Sequence, residues 1–264
     1  MLNKKKLRAI RREIKQGAYR VYIRRFCMGI ALVCAFFLGS YYMQGKKSET
    51  DIDALRALKA EAAGEEETGE ALTLANRQVM AQYKELFLIN PDLIGWVTIE
   101  GTSVDYPLMW TPENPEYYSQ RGFDKTDSKN GLLFLDASSN VNEHGGNLIV
   151  YGHNMKNGSM FADLLRYRKR SYWKQHPQIQ LDTLYETRIY EIAAVAQTND
   201  MAMLPYEFTD SEESTARSAI DAMAAASLYE TDIDMRYGDD FLTLSTCDYS
   251  SNSGRLVVMA RRVK

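Results

Sequence analysis

The sequence predicts a mainly β domain with helical insertions, folded as a closed or nearly closed eight-stranded barrel behind an apolar N-terminal segment. Two observations lead to that class. Beyond Pro91 the chain falls into short runs rich in β-branched and aromatic residues, bounded by Gly, Asn, Asp and Ser, the pattern of strands. Helical patterns interrupt these runs too irregularly for alternating β-α units, and closure is how so many short strands avoid unpaired edges.

The N-terminus comes first. Lys4, Lys5, Lys6, Arg8, Arg11, Arg12, Lys15, Arg20, Arg24 and Arg25 precede an uncharged run, FCMGIALVCAFFLGSYYM, from Phe26 to Met43. At about 1.5 Å rise per residue, a helix of that length extends about 27 Å, near the hydrocarbon thickness of a bilayer. Only Lys46 and Lys47 closely follow it. The positive-inside rule therefore places residues 1–25 in the cytoplasm, 26–43 across the cell membrane as a single pass, and the remainder outside. The rival reading, a cleaved signal peptide, calls for an apolar core of about 7–15 residues and a small-x-small site, and the run is longer and lacks a convincing site. Residues 44–70 are rich in Ala, Glu and Lys, with Glu65, Glu66 and Glu67 between Gly64 and Gly69. Such a segment buries little apolar surface by itself and reads as a stalk, leaving 71–264 as the extracellular domain.

That domain opens on an amphipathic helix, since Val79, Met80, Tyr83, Leu86 and Phe87 recur at helical spacing until Pro91 ends the run. The strand runs are Leu93 to Ile99, Ser103 to Leu108, Leu132 to Leu135, Asn147 to Tyr151, Ile179 to Leu181, Arg188 to Ala196, Phe241 to Thr246 and Arg255 to Ala260. Helical patterns fall around Met160 to Gln175 and from Glu212 to about Leu228. In the second, Ala216, Ile220, Met223 and Ala224 share a face, and Thr209 and Glu212 have capping-box spacing.

Composition excludes little by itself, but the net charge of −3 and the crowding of basic residues into the first 25 positions argue against nucleic-acid binding. No internal repeat and no metal-ligand cluster is visible. Cys27 and Cys34 lie in the apolar run, so Cys247 is the lone thiol of the outer domain. An unpaired thiol outside the cell is either buried or reactive.

Three residues carry candidate chemistry. His153 follows the apolar run NLIVYG, and Cys247 ends FLTLSTC before the polar loop DYSSNSG. Arg255 opens RLVVMARR, where alternation puts it on one face with Val257, Met259 and Arg261, opposite Leu256, Val258 and Ala260. Each has a bland reading when taken alone: a loop-bonding imidazole, a small buried hydrophobe, a rim arginine lying over apolar surface. His144, beside two glycines, and His176, in a helix-to-strand turn, carry weaker signals and read as structural. Together, a thiol, a near-neutral proton carrier and a fixed cation meet the needs of acyl transfer. At pH 7, independent Cys and His would both be charged in only about one per cent of molecules, so a guanidinium near the thiol would matter.

At this point the sequence resembles the sortase family. TLSTC at Thr243 to Cys247 is similar to the family's TLxTC signature, YGH at Tyr151 to His153 to the segment around its histidine, and the Arg255 strand to its third catalytic strand. The likeness extends from about Asn90 to Arg262, through IGWVTIEGTSVDYPLM, GLLFLD and NLIVYGHNMKNGSMFADLLRY. Val104 to Pro107, the helix before the barrel and the helix before the cysteine strand resemble class B. The resemblance implies an eight-stranded sortase barrel with His153, Cys247 and Arg255 as catalytic residues and no cofactor. It further implies cleavage of an NPxTG-like or LPxTG-like sorting motif after Thr through a thioacyl intermediate, then transfer of the substrate protein to a peptidoglycan-precursor or pilin amine. Tyr151, Ser245, Thr246 and Tyr206 are candidate substrate contacts, and Asp248 is given no catalytic role. Papain-like proteases place the cysteine before the histidine, the reverse of the order here. Two other readings stay open: a hydrolytic extracellular cysteine protease, and a membrane-displayed binding module with an inert cysteine.

Overall fold

The computed structural model describes residues 4–64, 71–199, 206, 208–209, 212–249 and 254–264. The chain forms two compact units, 1–47 and 48–264, and helix α1 (Lys4–Gly64) runs through the boundary between them. In the first unit α1 is long and apolar enough to cross a membrane. Phe26, Phe36, Phe37 and Leu38 there are 67–72% exposed, an apolar surface that water solvates poorly.

In the second unit the eight expected strands are all present. They are β3 (Leu93–Thr98), β4 (Asp105–Met109), β5 (Leu133–Leu135), β6 (Asn147–Tyr151), β7 (Gln178–Thr183), β8 (Thr187–Thr198), β9 (Phe241–Cys247) and β10 (Arg255–Arg262). They close into a barrel in the order β10-β8-β7-β3-β4-β5-β6-β9. Only the β4–β5 and β6–β9 pairings are parallel among the described strands. A small hairpin, β1 (Thr73–Leu74) and β2 (Arg77–Gln78), precedes helix α2 (Ala81–Ile89). Its turn residues Ala75 and Asn76 have φ of 47° and 63°, the left-handed geometry of a tight hairpin turn. The sequence reading missed it because Ala-Asn lacks the glycine that usually marks such a turn.

The stretch read as a stalk behaves differently where it is described. Residues 48–64 continue α1, with Ile52 5% exposed and Leu55 and Leu58 packed on the barrel core. Three apolar residues at helical spacing make a stripe that Ala, Glu and Lys mask in the composition. Arg56 seals it with a 3.1 Å ion pair to Asp105, whose carboxylate also takes the Trp96 indole N–H at 2.6 Å. Residues 65–70 lie outside the described residues.

Two apolar clusters explain the strand patterns. Leu256, Val258 and Ala260 join Leu242, Leu244, Ile192 and Val195 in the main core. Val257 and Met259 point the other way, against Ala216, Ile220 and Met223 of helix α4 (Glu213–Ala225). The helix before the cysteine strand thus covers the outer face of β8, β9 and β10. It starts one residue later than expected, with Glu212 at the N-cap, so the Thr209–Glu212 capping box is out of register. Glu212 instead accepts hydrogen bonds from the Ser214 and Thr215 hydroxyls. The 160–175 pattern resolves into a 3-10 helix (Ala162–Arg168) and α3 (Arg170–Gln175).

Candidate active site

Register brings the three candidate residues to one end of the barrel. Tyr151 at the end of β6 is level with Ser245 of β9, and Cys247 is level with Arg255 of β10. Cys247 and Arg255 alternate with the buried Thr246 and Leu256, so they lie on the outer face of the sheet, and both are partly exposed. The Arg255 guanidinium donates from Nη1 to the Cys247 sulfur. A cation so placed can also stabilise negative charge that develops on an oxygen next to the sulfur.

His153 sits two residues beyond β6, and the residues flanking it are tied to the cysteine strand. The Thr246 hydroxyl donates to the Gly152 carbonyl at 2.7 Å, and the Asn154 carboxamide donates to the Cys247 carbonyl at 3.0 Å. The imidazole Nε2 lies 2.7 Å from the Ser119 carbonyl oxygen. A carbonyl can only accept, so Nε2 carries a hydrogen and Nδ1 is the ring nitrogen left for proton transfer. Among the described residues the imidazole makes no hydrogen bond to the Cys247 sulfur.

Glycines make this arrangement possible. A Cβ on Gly131, whose φ is 56°, would lie 2.6 Å from the Tyr118 carbonyl oxygen and closer still to that of Ser119. On Gly152 it would meet Phe161 Cδ2 at 2.6 Å. No side chain fits at either approach.

The candidate substrate contacts are arranged around the same strands. Tyr151 stacks on Tyr206 with centroids 6.3 Å apart and planes 6° off parallel, and donates to Asp136 at 3.0 Å. The Tyr206 hydroxyl is 2.7 Å from Ser245 Oγ. Burial raises the Tyr206 pKa, against the opposing pull of Ser245 and Arg255. Ser245 and Thr246 are 2% and 1% exposed, and their hydroxyls serve these internal bonds.

Asp248, given no role from sequence, is 4% exposed and ion-paired to Arg168, with a further hydrogen bond from Gln197. Its backbone N–H donates to the Gly254 carbonyl at 2.7 Å. It therefore fixes both ends of the loop between Cys247 and Arg255. His144 and His176 stay structural, bonded to Asp240 at 3.0 Å and to the Glu100 carbonyl at 2.8 Å. Among the described residues no cluster of His, Cys, Asp and Glu could hold a metal.

With this geometry established, comparison with known proteins is decisive. The sortase domain family matches residues 97–263. The chain is 30% identical to sortase B of Listeria monocytogenes over 242 residues, covering 89% of this chain and 93% of that one. This chain belongs to the sortase family, class B. Among solved structures, the sortase resembles sortase B from Bacillus anthracis in complex with AAEK1, at TM-score 0.71 and 29% identity, covering 84% and 99% of the two chains. It likewise resembles a Staphylococcus aureus sortase B–substrate complex, at TM-score 0.72 and 25% identity, with coverage of 84% and 99%. The sortase is a cysteine transpeptidase on an eight-stranded barrel, and the family match spans His153, Cys247 and Arg255.

Proposed function

We propose that this sortase is held in the cell membrane by the apolar run of α1, with residues 1–25 inside and the barrel outside, and that it joins sorting-signal proteins to a cell-wall or pilin amine. The Arg255–Cys247 contact beside a His153 loop stitched to the cysteine strand is the observation that supports this reading. Cys247 is the nucleophile, His153 the proton carrier and Arg255 the oxyanion clamp.

The Cys247 thiolate attacks the Thr carbonyl carbon of an NPxTG-like or LPxTG-like motif, forming a C–S bond. The carbonyl electron pair moves to oxygen, where the Arg255 guanidinium stabilises it. Collapse breaks the Thr–Gly C–N bond as His153 protonates the leaving nitrogen. His153, now neutral, takes a proton from the incoming amine, which attacks the thioester. The C–S bond breaks, releasing the new amide and regenerating the thiolate. Tyr151 and Tyr206 form an aromatic wall for the sorting peptide, and Ser245 and Thr246 act behind it by holding Tyr206 and the His153 loop.

Incubating the enzyme with a panel of sorting peptides, with and without added amines, tests this by mass. The expected products are a thioacyl adduct on Cys247 and, with amine, an amide-linked conjugate. Cleavage that never yields conjugate would point to hydrolysis, and unchanged turnover by Cys247→Ala would end the proposal.

A further inference from the structure

The end of the barrel opposite Cys247 carries a polar recess. β9 begins at Phe241 and ends at Cys247, so its ends are about 20 Å apart at about 3.3 Å per residue. Two cavities open at the Phe241 end, one of about 440 Å³ against the β1–β2 hairpin and a much smaller one lined by Phe241 itself. Arg188 is a wall of both. Along β8, Arg188, Tyr190 and Ile192 are buried and alternate with the partly exposed Ile189 and Glu191. The period of two therefore directs the Arg188 guanidinium, with Tyr190 and Ile192, into the mouth of the barrel.

The recess is rich in idle donors. Arg188 is 3% exposed, yet among the described residues its guanidinium is bonded only through Nε, to Glu186 at 2.7 Å. The neighbouring Tyr190 hydroxyl is buried and makes no hydrogen bond of ordinary geometry among the described residues. Burial raises its pKa and the nearby Arg188 draws it back only in part, so the hydroxyl keeps its proton and can donate. A buried cation and a buried hydroxyl in that state call for an acceptor. The wider cavity adds His144 and Arg77, whose guanidinium rests on the Tyr185 ring at 3.7 Å and donates to Asn142 Oδ1 at 3.1 Å. The carboxylates nearby are already engaged. Glu186 pairs with Arg188 and Arg262 at 2.7 and 3.5 Å, and Asp240 with His144 and Arg262 at 3.0 and 3.3 Å. Glu143 accepts from the Asn140 carboxamide at 2.9 Å. The uncommitted charge of the recess is therefore positive.

We infer that this recess binds a phosphate group, held by Arg77 and Arg188 with the Tyr190 hydroxyl as a further donor. Two guanidinium forks, an imidazole and a phenol arrive from β2, from the loop before β6 and from β8. Donors from several elements suit a tetrahedral anion, which presents oxygens in several directions, better than a planar carboxylate. The inference is independent of the transpeptidase reading above, because none of these residues is assigned to catalysis.

Full-length enzyme in an uncharged detergent, titrated calorimetrically with inorganic phosphate and with glycerophosphoglycerol at fixed ionic strength, provides the test. Wild type should bind phosphate saturably. Arg77→Gln, at an exposed position, should weaken that binding about tenfold, the effect of one charge-assisted hydrogen bond. Tyr190→Phe should weaken it about threefold without lowering Tm, because the hydroxyl removed has no protein partner to lose. If the phosphodiester binds as tightly as phosphate, the group is that of a polymer or lipid headgroup, and if phosphate alone binds, it is a free ion. Wild type that shows no saturable phosphate binding, or Arg77→Gln that binds phosphate as tightly as wild type, overturns the inference.

Discussion

Cys247 and Arg255 face each other across β9 and β10 as register partners, and the guanidinium of one reaches the sulfur of the other. Eight positions apart in sequence, they are joined by strand pairing rather than by the loop between them. Arg255→Ala should lower kcat/KM for peptide cleavage by about 10²–10³, the usual loss for one oxyanion donor. Arg255→Lys should recover part of it, because an ammonium supplies charge without the planar fork. Steady-state cleavage assays check both, and a rate for Arg255→Ala within about threefold of wild type would contradict the role.

Asn154 ties the histidine loop to the Cys247 carbonyl. Asn154→Ala should cost about 0.5–1.5 kcal/mol of stability but reduce kcat by about tenfold or more, because small misplacements of a proton carrier are expensive. Peptide KM should hardly move. Denaturant titration alongside kinetics separates the two effects.

Asp248 is buried beside the catalytic strand, and its partner Arg168 keeps a 35% exposed side chain. Solvent screens the guanidinium and lowers the worth of the pair, but removing it leaves a carboxylate in a buried site, which is the costly way to break such a pair. Arg168→Met should therefore unfold at clearly lower denaturant concentration. Its midpoint should recover in part in the double variant with Asp248→Asn, which no longer buries a charge.

Gly131→Ala places a Cβ against two carbonyls at a positive φ. Strain of this kind costs about 1–3 kcal/mol, and relief would move the Ser119 carbonyl away from His153. The measurable result is a lower Tm together with a lower kcat for cleavage, since the hydrogen bond that orients the imidazole weakens.

The acid limb of stability should report Asp240. Burial pushes its carboxyl up, but the Gly145 N–H, His144 and Arg262 outweigh that, leaving its pKa below the ordinary 3.8. A carboxyl depressed in the folded state contributes stability above its unfolded pKa and loses it as pH falls through the folded value. Wild-type Tm should thus drop below about pH 4, and Asp240→Asn should show a shallower fall. Parallel slopes for the two proteins would remove this group as the cause.

The barrel was legible because its strands alternate. Val257 and Met259 point at α4 while Leu256 and Val258 point into the core, as a period of two requires. Cys247, His153 and Arg255 were visible as residue types at strand ends and through family motifs. What holds them was not. Ser119 lies in a 3-10 helix (Tyr117–Gln120), and its carbonyl meets His153 34 positions away. A backbone oxygen leaves no mark in a sequence. Asp248 reads as an ordinary loop acid until Arg168, from a different element, shows it to be buried. The α1 stripe of Ile52, Leu55 and Leu58 was obscured by its charged neighbours.

Arg255 opens the last barrel strand in chain order, and β10 is the strand that joins β8 to β9. Without that strand in place, the sulfur of Cys247 has no guanidinium beside it. The seam that completes the cylinder is thus the same seam that assembles the charged partner of the sulfur, and a chain with that seam open lacks both at once.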